Sequence, residues 1–174
     1  MIAAENQYVR VLVPAGEQPD EEPHASAAGL VAVDLDGGGV RYFRNFRADD
    51  ADRHGRQVYV ELRTAPESDA HELSAIDVDP DRYRVVFEND RVRVVRLGFG
   101  PKERGLMVHH PPRVLVTLTD VRVRLLFDDG HTDERGAPAG VAAWLDAETL
   151  QTENAADEPL EVVLVEPKPF NEEE

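Results

Sequence analysis

Tyr83–Phe127 reads YRVVFENDRVRVVRLGFGPKERGLMVHHPPRVLVTLTDVRVRLLF, and the spacing of its apolar side chains decides the fold class. Val92, Val94 and Leu97 are apolar, with Arg91, Arg93 and Arg96 between them. Further on, Val121, Val123 and Leu125 alternate with Arg122 and Arg124. Alternation of this kind sends one set of side chains to each face of a pleated strand. Valine supplies most of the apolar set, and a β-branched side chain suits a half-buried sheet. Glu88-Asn89-Asp90 reads as a turn between two strands, because Asn and Asp accept tight turns. Gly98 to Gly105 reads as a loop. Pro111-Pro112 interrupts the ladder, since proline has no amide proton to donate. Val114 to Thr119 and Val121 to Phe127 read as a further strand pair hinged near Asp120.

The same signals extend outward. Gln7 to Val13, Leu30 to Leu35, Val40 to Phe43 and Val58 to Arg63 read as strands, with Asp36-Gly37-Gly38-Gly39 as a hairpin turn. Glu17 to Ala28 and Asp49 to Gly55 read as polar loops, and Glu67 to Leu73 as one or two helical turns at most. Asp128 to Pro138 reads as a turn-rich excursion, Asp146 to Thr149 as a polar bend, and Gln151 to Asn154 as short and exposed. Leu160 to Glu166 closes the last strand. No segment holds a helical stripe over three turns. Many short strands with turns between them argue an all-β sandwich or barrel.

Composition sets the outer limits. A chain of 174 residues, 41% of them hydrophobic, can build one or two domains with a real core. There is no cysteine, so disulfides and thiolate metal sites are excluded. Met1 to Asn6 lacks the basic start and apolar run of a signal peptide. No apolar segment approaches the roughly 20 residues that span a bilayer as a helix. The expectation is a cytoplasmic protein. A formal charge of −16 disfavours nucleic acid and anionic membrane as partners.

The chain also echoes itself. Glu5-Asn6-Gln7-Tyr8-Val9-Arg10-Val11 parallels Glu88-Asn89-Asp90-Arg91-Val92-Arg93-Val94, and Val58 to Arg63 parallels Val163 to Lys168. Such repeats predict two related β modules, the first shorter and lacking the hairpin that Gly140 to Thr149 supplies in the second.

Phe87 to Val94, Lys102 to Pro112, Leu118 to Asp120, Trp144 to Ala147, Glu153-Asn154 and Asp157 to Leu160 together resemble the cupin family. The resemblance spans roughly Arg82 to Lys168. It implies a double-stranded β-helix, or jelly-roll, barrel. With the repeat, it implies a two-cupin protein with a degenerate N-terminal half. The corresponding division is a degenerate module over 1–66, a linker over 67–81, a cupin domain over 82–170 and an acidic tail over 171–174.

Metal-holding cupins bring two histidines one residue apart on a strand, an acid or glutamine a few residues on, and a third histidine on a later strand. Residues i and i+2 share a strand face, so both rings would reach inward. In this chain those positions fall on Val108, His110, Arg113 or Val114, and Leu150. One ligand of four survives. His109 and His110 form a fallback pair, although neighbours on a regular strand face opposite ways unless Pro111 distorts the backbone.

The resemblance therefore implies a cupin-like barrel without metal or other cofactor. It would bind a small organic molecule or serve as an accessory module. Met107, His110, Arg113 and Trp144 are the candidate cavity residues. Trp144 has a competing reading as plain core. A metal-free isomerase, epimerase or cyclase is the alternative, with His110 as the acid–base group and Arg113 polarising an anionic substrate. A metal-dependent oxygenase or isomerase built on His109 and His110 is another, and a structural role in a homodimer a further one. A homodimer is expected from the resemblance alone.

Other constellations are weak. Ser26, Ser68 and Ser74 have no nucleophile-elbow glycines around them. Asp128-Asp129-Gly130 and Asp49-Asp50 lack the ligand spacing of a calcium loop. Arg91, Arg93, Arg122 and Arg124 suit cross-strand pairing with carboxylates. His24, His54, His71 and His131 are isolated in polar stretches.

Overall fold

The computed structural model describes residues 2–14, 29–44, 56–64, 66 and 74–169. The readings of 17–28, 49–55, 67–73 and 171–174 lie outside those residues, as do His24, His54, His71, Ser26 and Ser68.

The strands are β1 Ile2–Glu5, β2 Val9–Leu12, β3 Leu30–Asp34, β4 Val40–Phe43 and β5 Gln57–Leu62. A short helix, α1 Ala75–Val78, precedes β6 Tyr83–Glu88, β7 Val92–Phe99 and β8 Val108–His110. Next come β9 Arg113–Thr117, β10 Val121–Phe127 and β11 Thr132–Ala137. The last are β12 Ala142–Leu145, β13 Glu148–Asn154 and β14 Leu160–Pro167. They form three antiparallel sheets, ordered β1-β2-β5-β3-β4, β12-β9-β14-β7-β6 and β11-β10-β13-β8. These are called here the N-terminal, middle and outer sheets.

β7 to β14 make an eight-stranded jelly roll. β7, β9, β12 and β14 lie in the middle sheet, and β8, β10, β11 and β13 in the outer one. Each sheet interleaves early and late strands, as two wound Greek keys require. The expectation of a cupin-type double-stranded β-helix is met by this topology. The chain crosses from one sheet to the other at Asp120, so β9 and β10 do not pair with each other. β9 pairs β12 and β14, while β10 pairs β11 and β13.

Two polar stretches are strands rather than loops. β11 is mostly exposed, so no apolar alternation marks it. In β13 the inward positions are Leu150, Thr152 and Asn154, and two of these three are polar. Asn154 is nonetheless fully buried, because its amide donates to the carbonyls of Gly100 and Glu158 at 3.0 and 2.8 Å. A buried amide is tolerated when its hydrogen bonds are made.

Along β7, β9 and β14 the middle sheet is buried on both faces. On β14, Val162 and Leu164 point into the barrel with Leu97, Val123 and Leu125, while Val163 and Val165 point the other way. There they meet the N-terminal sheet. Val9, Val11, Val31, Val33, Val58 and Val60 pack against Val92, Val94, Val114, Val116, Val163 and Val165 in one core. Fully burying one such side chain contributes about 1.5–3 kcal/mol, so this seam is a major part of the fold.

The two sheets that meet there are built alike. The order β1-β2-β5-β3-β4 runs parallel to β6-β7-β14-β9-β12. Arg10↔Glu61 stands as Arg93↔Glu166, Val31↔Val60 as Val114↔Val165, and Val33↔Val40 as Val116↔Ala142. Both openings carry a bulge, between Ile2 and Ala4 and between Val85 and Phe87. The N-terminal module therefore keeps a strand matching β12, namely β4, while in the second module Gly140 to Thr149 is not a hairpin, because β12 and β13 lie in different sheets. Among the described residues it has no counterpart of β8, β10, β11 or β13, which make the outer sheet.

Gly38 seats the β3–β4 hairpin on the barrel. Its φ is +75°, and a Cβ there would lie 2.7 Å from Leu118 Cδ1. Glycine alone among the common residues enters this conformation without steric cost. The Arg96 Nη1 donates to the Gly37 carbonyl at 3.2 Å beside it.

Candidate functional site

The jelly roll holds a half-open cavity of about 160 Å³ between the middle and outer sheets. Its wall is largely apolar, with Leu97, Leu115, Val123, Leu125, Val162 and Leu164 among the lining side chains. The strand period puts them there, since each alternates with a residue that faces away. Gly136 and Ala137 of β11 and Ala143 and Leu145 of β12 also line it. These are the edge strands of the two sheets. On the opposite seam, where edges β6 and β8 part, α1 lies against both strands.

The polar part of the wall is formed by His110, Arg113, Arg135, Thr117 and Thr152. His110 ends β8 and Arg113 begins β9, with Pro111-Pro112 breaking the strand between them. His110 is 3% exposed. Its Nε2 lies 3.4 Å from the Tyr83 hydroxyl, and its Nδ1 is buried with no hydrogen-bond partner. Burial holds the His110 imidazole well below its ordinary pKa, and the charge of Arg113 and the neighbouring His109 push the same way. The ring is therefore neutral at pH 7. The same burial pushes the Tyr83 phenol up.

Arg113 is also 3% exposed. Its Nη1 donates to the Asp146 carbonyl at 2.9 Å and its Nη2 to Glu148 at 3.0 Å, while its Nε is buried and unpartnered. Burial lowers the guanidinium pKa against the pull of Glu148 and Glu166, but an arginine stays charged in any such setting. Glu148 also takes Arg135, at 2.7 and 3.2 Å, so one carboxylate holds two guanidinium groups. Burial works to raise the Glu148 pKa, and the hydrogen bonds from Arg135 and Arg113 outweigh it, leaving it below the usual range. At the same end, Glu166 accepts from Arg93 at 2.9 Å, yet burial keeps its pKa raised.

Of the four candidate cavity residues, His110 and Arg113 line the cavity and Met107 and Trp144 do not. Met107 precedes β8 and is half-buried. Trp144 is on the other face of β12, against the N-terminal sheet, where it stacks on Tyr8 at 5.6 Å. Its neighbours Ala143 and Leu145 point inward instead, as alternation along a strand requires. The competing reading of Trp144 as core is the one its position matches.

His109 and His110 also part. His109 is on the opposite face of β8, where its Nδ1 meets the Thr149 hydroxyl at 2.8 Å. Pro111 does not bring the two rings to one point. Val108 pairs with Leu150 in the barrel core. No group of three or more His, Cys, Asp or Glu side chains comes together among the described residues. The positions where a cupin metal would find its donors thus offer two aliphatic groups, one imidazole and a guanidinium. This set does not fit a divalent transition metal, which needs several neutral nitrogen or anionic oxygen donors.

Tyr83, Arg135 and Glu148 were not legible as site residues. Arg135 and Glu148 sit in stretches that read as turn and bend, and only the pairing of β10 with both β11 and β13 brings them together.

No family model matches the chain, and no curated protein matches it. Among solved structures, the chain is similar to a cupin domain from Bordetella pertussis Tohama I, at 22% identity and a TM-score of 0.47, over 50% of this chain and 92% of that one. It is also similar to an RmlC-like cupin family protein with a double-stranded β-helix fold from Methanocaldococcus jannaschii. That match has 11% identity and a TM-score of 0.41, over 49% of this chain and 78% of that one. A protein with a double-stranded β-helix domain from Klebsiella pneumoniae matches at 18% identity and a TM-score of 0.40, over 59% and 93%.

Proposed function

We propose that this cupin-type barrel binds a small organic molecule in its interior and holds it with protein groups rather than a metal ion. The observation that carries the reading is the cavity itself, largely apolar, with His110, Arg113, Arg135, Thr117 and Thr152 as its polar groups. Ligand sites are commonly apolar hollows with a few placed polar groups. A volume of about 160 Å³ is small. An apolar cavity of about 150 Å³ takes up benzene, so the molecule has roughly six to nine non-hydrogen atoms.

We further propose that the N-terminal sheet is the remainder of a second cupin barrel that kept one sheet. The matched register and the shared strand order support this. The remnant has a structural task, covering the valine face of the middle sheet.

The binding reading is tested with toluene and 1-hexanol as probes. Methyl resonances of Leu97, Leu115, Val123, Leu125 and Leu164 are expected to shift on titration, and those of Val58 and Val60 to stay put. Leu164→Phe, which fills the hollow, should abolish the shifts. Unmoved methyl signals at saturating probe would remove the reading.

A further inference from the structure

We propose that the molecule the barrel accepts is uncharged and hydrocarbon-like, a small aryl or alkyl compound that makes no hydrogen bond to the wall. This rests on the barrel interior being the binding site, as proposed above, and adds the chemical class.

The polar side chains of the wall carry it, because the protein itself has already engaged or sealed them. The Thr117 hydroxyl donates to the Pro138 carbonyl at 2.8 Å and accepts from the Val141 amide at 2.9 Å, and the residue has no exposed surface. The Thr152 hydroxyl is hydrogen-bonded to that of Tyr83, which also lies against His110 Nε2. The His110 Nδ1 and the Arg113 Nε have essentially no accessible surface, so a molecule in the cavity does not reach them. The other two guanidinium nitrogens of Arg113 are used on the Asp146 carbonyl and Glu148.

Charge points the same way. Arg135 gives two nitrogens to Glu148 and its Nε to Asp133 at 3.4 Å. Arg113 and Arg135 thus meet the carboxylates of Glu148 and Asp133, and the charges balance. Arg93 and Glu166 form a further closed pair nearby. A charged ligand entering the cavity would lose water and find no free partner, and a hydroxyl would give up a hydrogen bond that the wall does not return. The hollow presents methyl and methylene surface instead, from Leu97, Leu115, Val123, Leu125, Val162 and Leu164. Such a surface favours apolar area alone.

Toluene, phenol and benzoate, titrated separately into the full chain at pH 7, test the class through the methyl resonances of Leu97, Leu115 and Leu125. Phenol differs from toluene by a hydroxyl in place of a methyl, and benzoate by a carboxylate in the same place. Toluene should bind at least about tenfold tighter than phenol, and at least about tenfold tighter than benzoate. A smaller ratio against either probe overturns the uncharged, hydrogen-bond-free class and leaves the cavity reading standing. Binding of none of the three overturns both.

Discussion

Asn6 and Asn89 hold the same turn in the two halves of the chain. The Asn6 Oδ1 accepts from the amides of Tyr8 and Val9 at 2.8 and 2.9 Å, and the Asn89 Oδ1 from those of Arg91 and Val92 at 2.9 and 3.0 Å. Each backbone amide also donates across the turn, Asn6 to Val9 and Asn89 to Val92. Replacing Asn89 by Ala removes two accepted bonds that fix the β6–β7 register. At about 0.5–1.5 kcal/mol for each bond, Asn89→Ala should cost about 1–3 kcal/mol in a urea titration, and Asn6→Ala should fall in the same direction. An unchanged midpoint in both variants would show that the strands set the register without the turn.

The N-terminal sheet covers Val92, Val94, Val114, Val116, Val163 and Val165. A chain shortened to begin at residue 67 would leave these six side chains in water as one patch. Apolar patches of that kind drive association. The shortened protein is expected to self-associate or precipitate in size-exclusion chromatography under conditions where the full chain does not. Identical association states for the two would count against this seam as a core.

Glu148 balances two guanidinium groups, and Arg113 is buried. Removing one partner of a buried pair leaves the other uncompensated, at about 3–5 kcal/mol. Glu148→Gln, which keeps the shape and removes the charge, should lower stability by about that much. Arg104→Gln should stay within about 0.5 kcal/mol, because Arg104 pairs with Glu153 in an exposed setting. Equal effects of the two changes would sink the assignment.

His110 supplies a pH dependence with a definite sign. Its folded pKa lies below its ordinary value, so the unfolded chain binds the proton first as pH falls. The stability from the neutral ring is complete above about pH 6.5 and declines below it, by up to about 1.4 kcal/mol per pH unit. The groups around the ring are Arg113, His109, Tyr83 and, by register, Glu148. Glu148 has a depressed pKa and loses its contribution at lower pH still. Between pH 7 and 5.5 the His110→Phe protein should therefore lose less stability than the unaltered one. Parallel losses would mean that the ring is not held neutral.

Much of the architecture was legible in the residues alone. The valine alternation, the Glu88-Asn89-Asp90 turn and the Pro111-Pro112 break each act over a few positions, through strand geometry or the chemistry of one side chain. The echo of Asn6 in Asn89 was legible for the same reason. β11 and the polar run of β13 were not, because an exposed strand needs no apolar face and a buried Asn154 depends on carbonyls from distant loops.

The site divides along the same line. The sequence by itself determined the side chains at the four metal-ligand positions, Val108, His110, Arg113 and Leu150, and that His109 would turn away from His110, since strand neighbours alternate. Only the tertiary structure decided which polar groups share the cavity. Tyr83, Arg135 and Glu148 reach His110 and Arg113 through pairings between strands far apart in the chain, and side-chain reach across a barrel has no period along it. The same reason accounts for Trp144. Its strand had a face toward the cavity and a face toward the N-terminal sheet, and the stack on Tyr8 followed from register and packing that no local pattern carries.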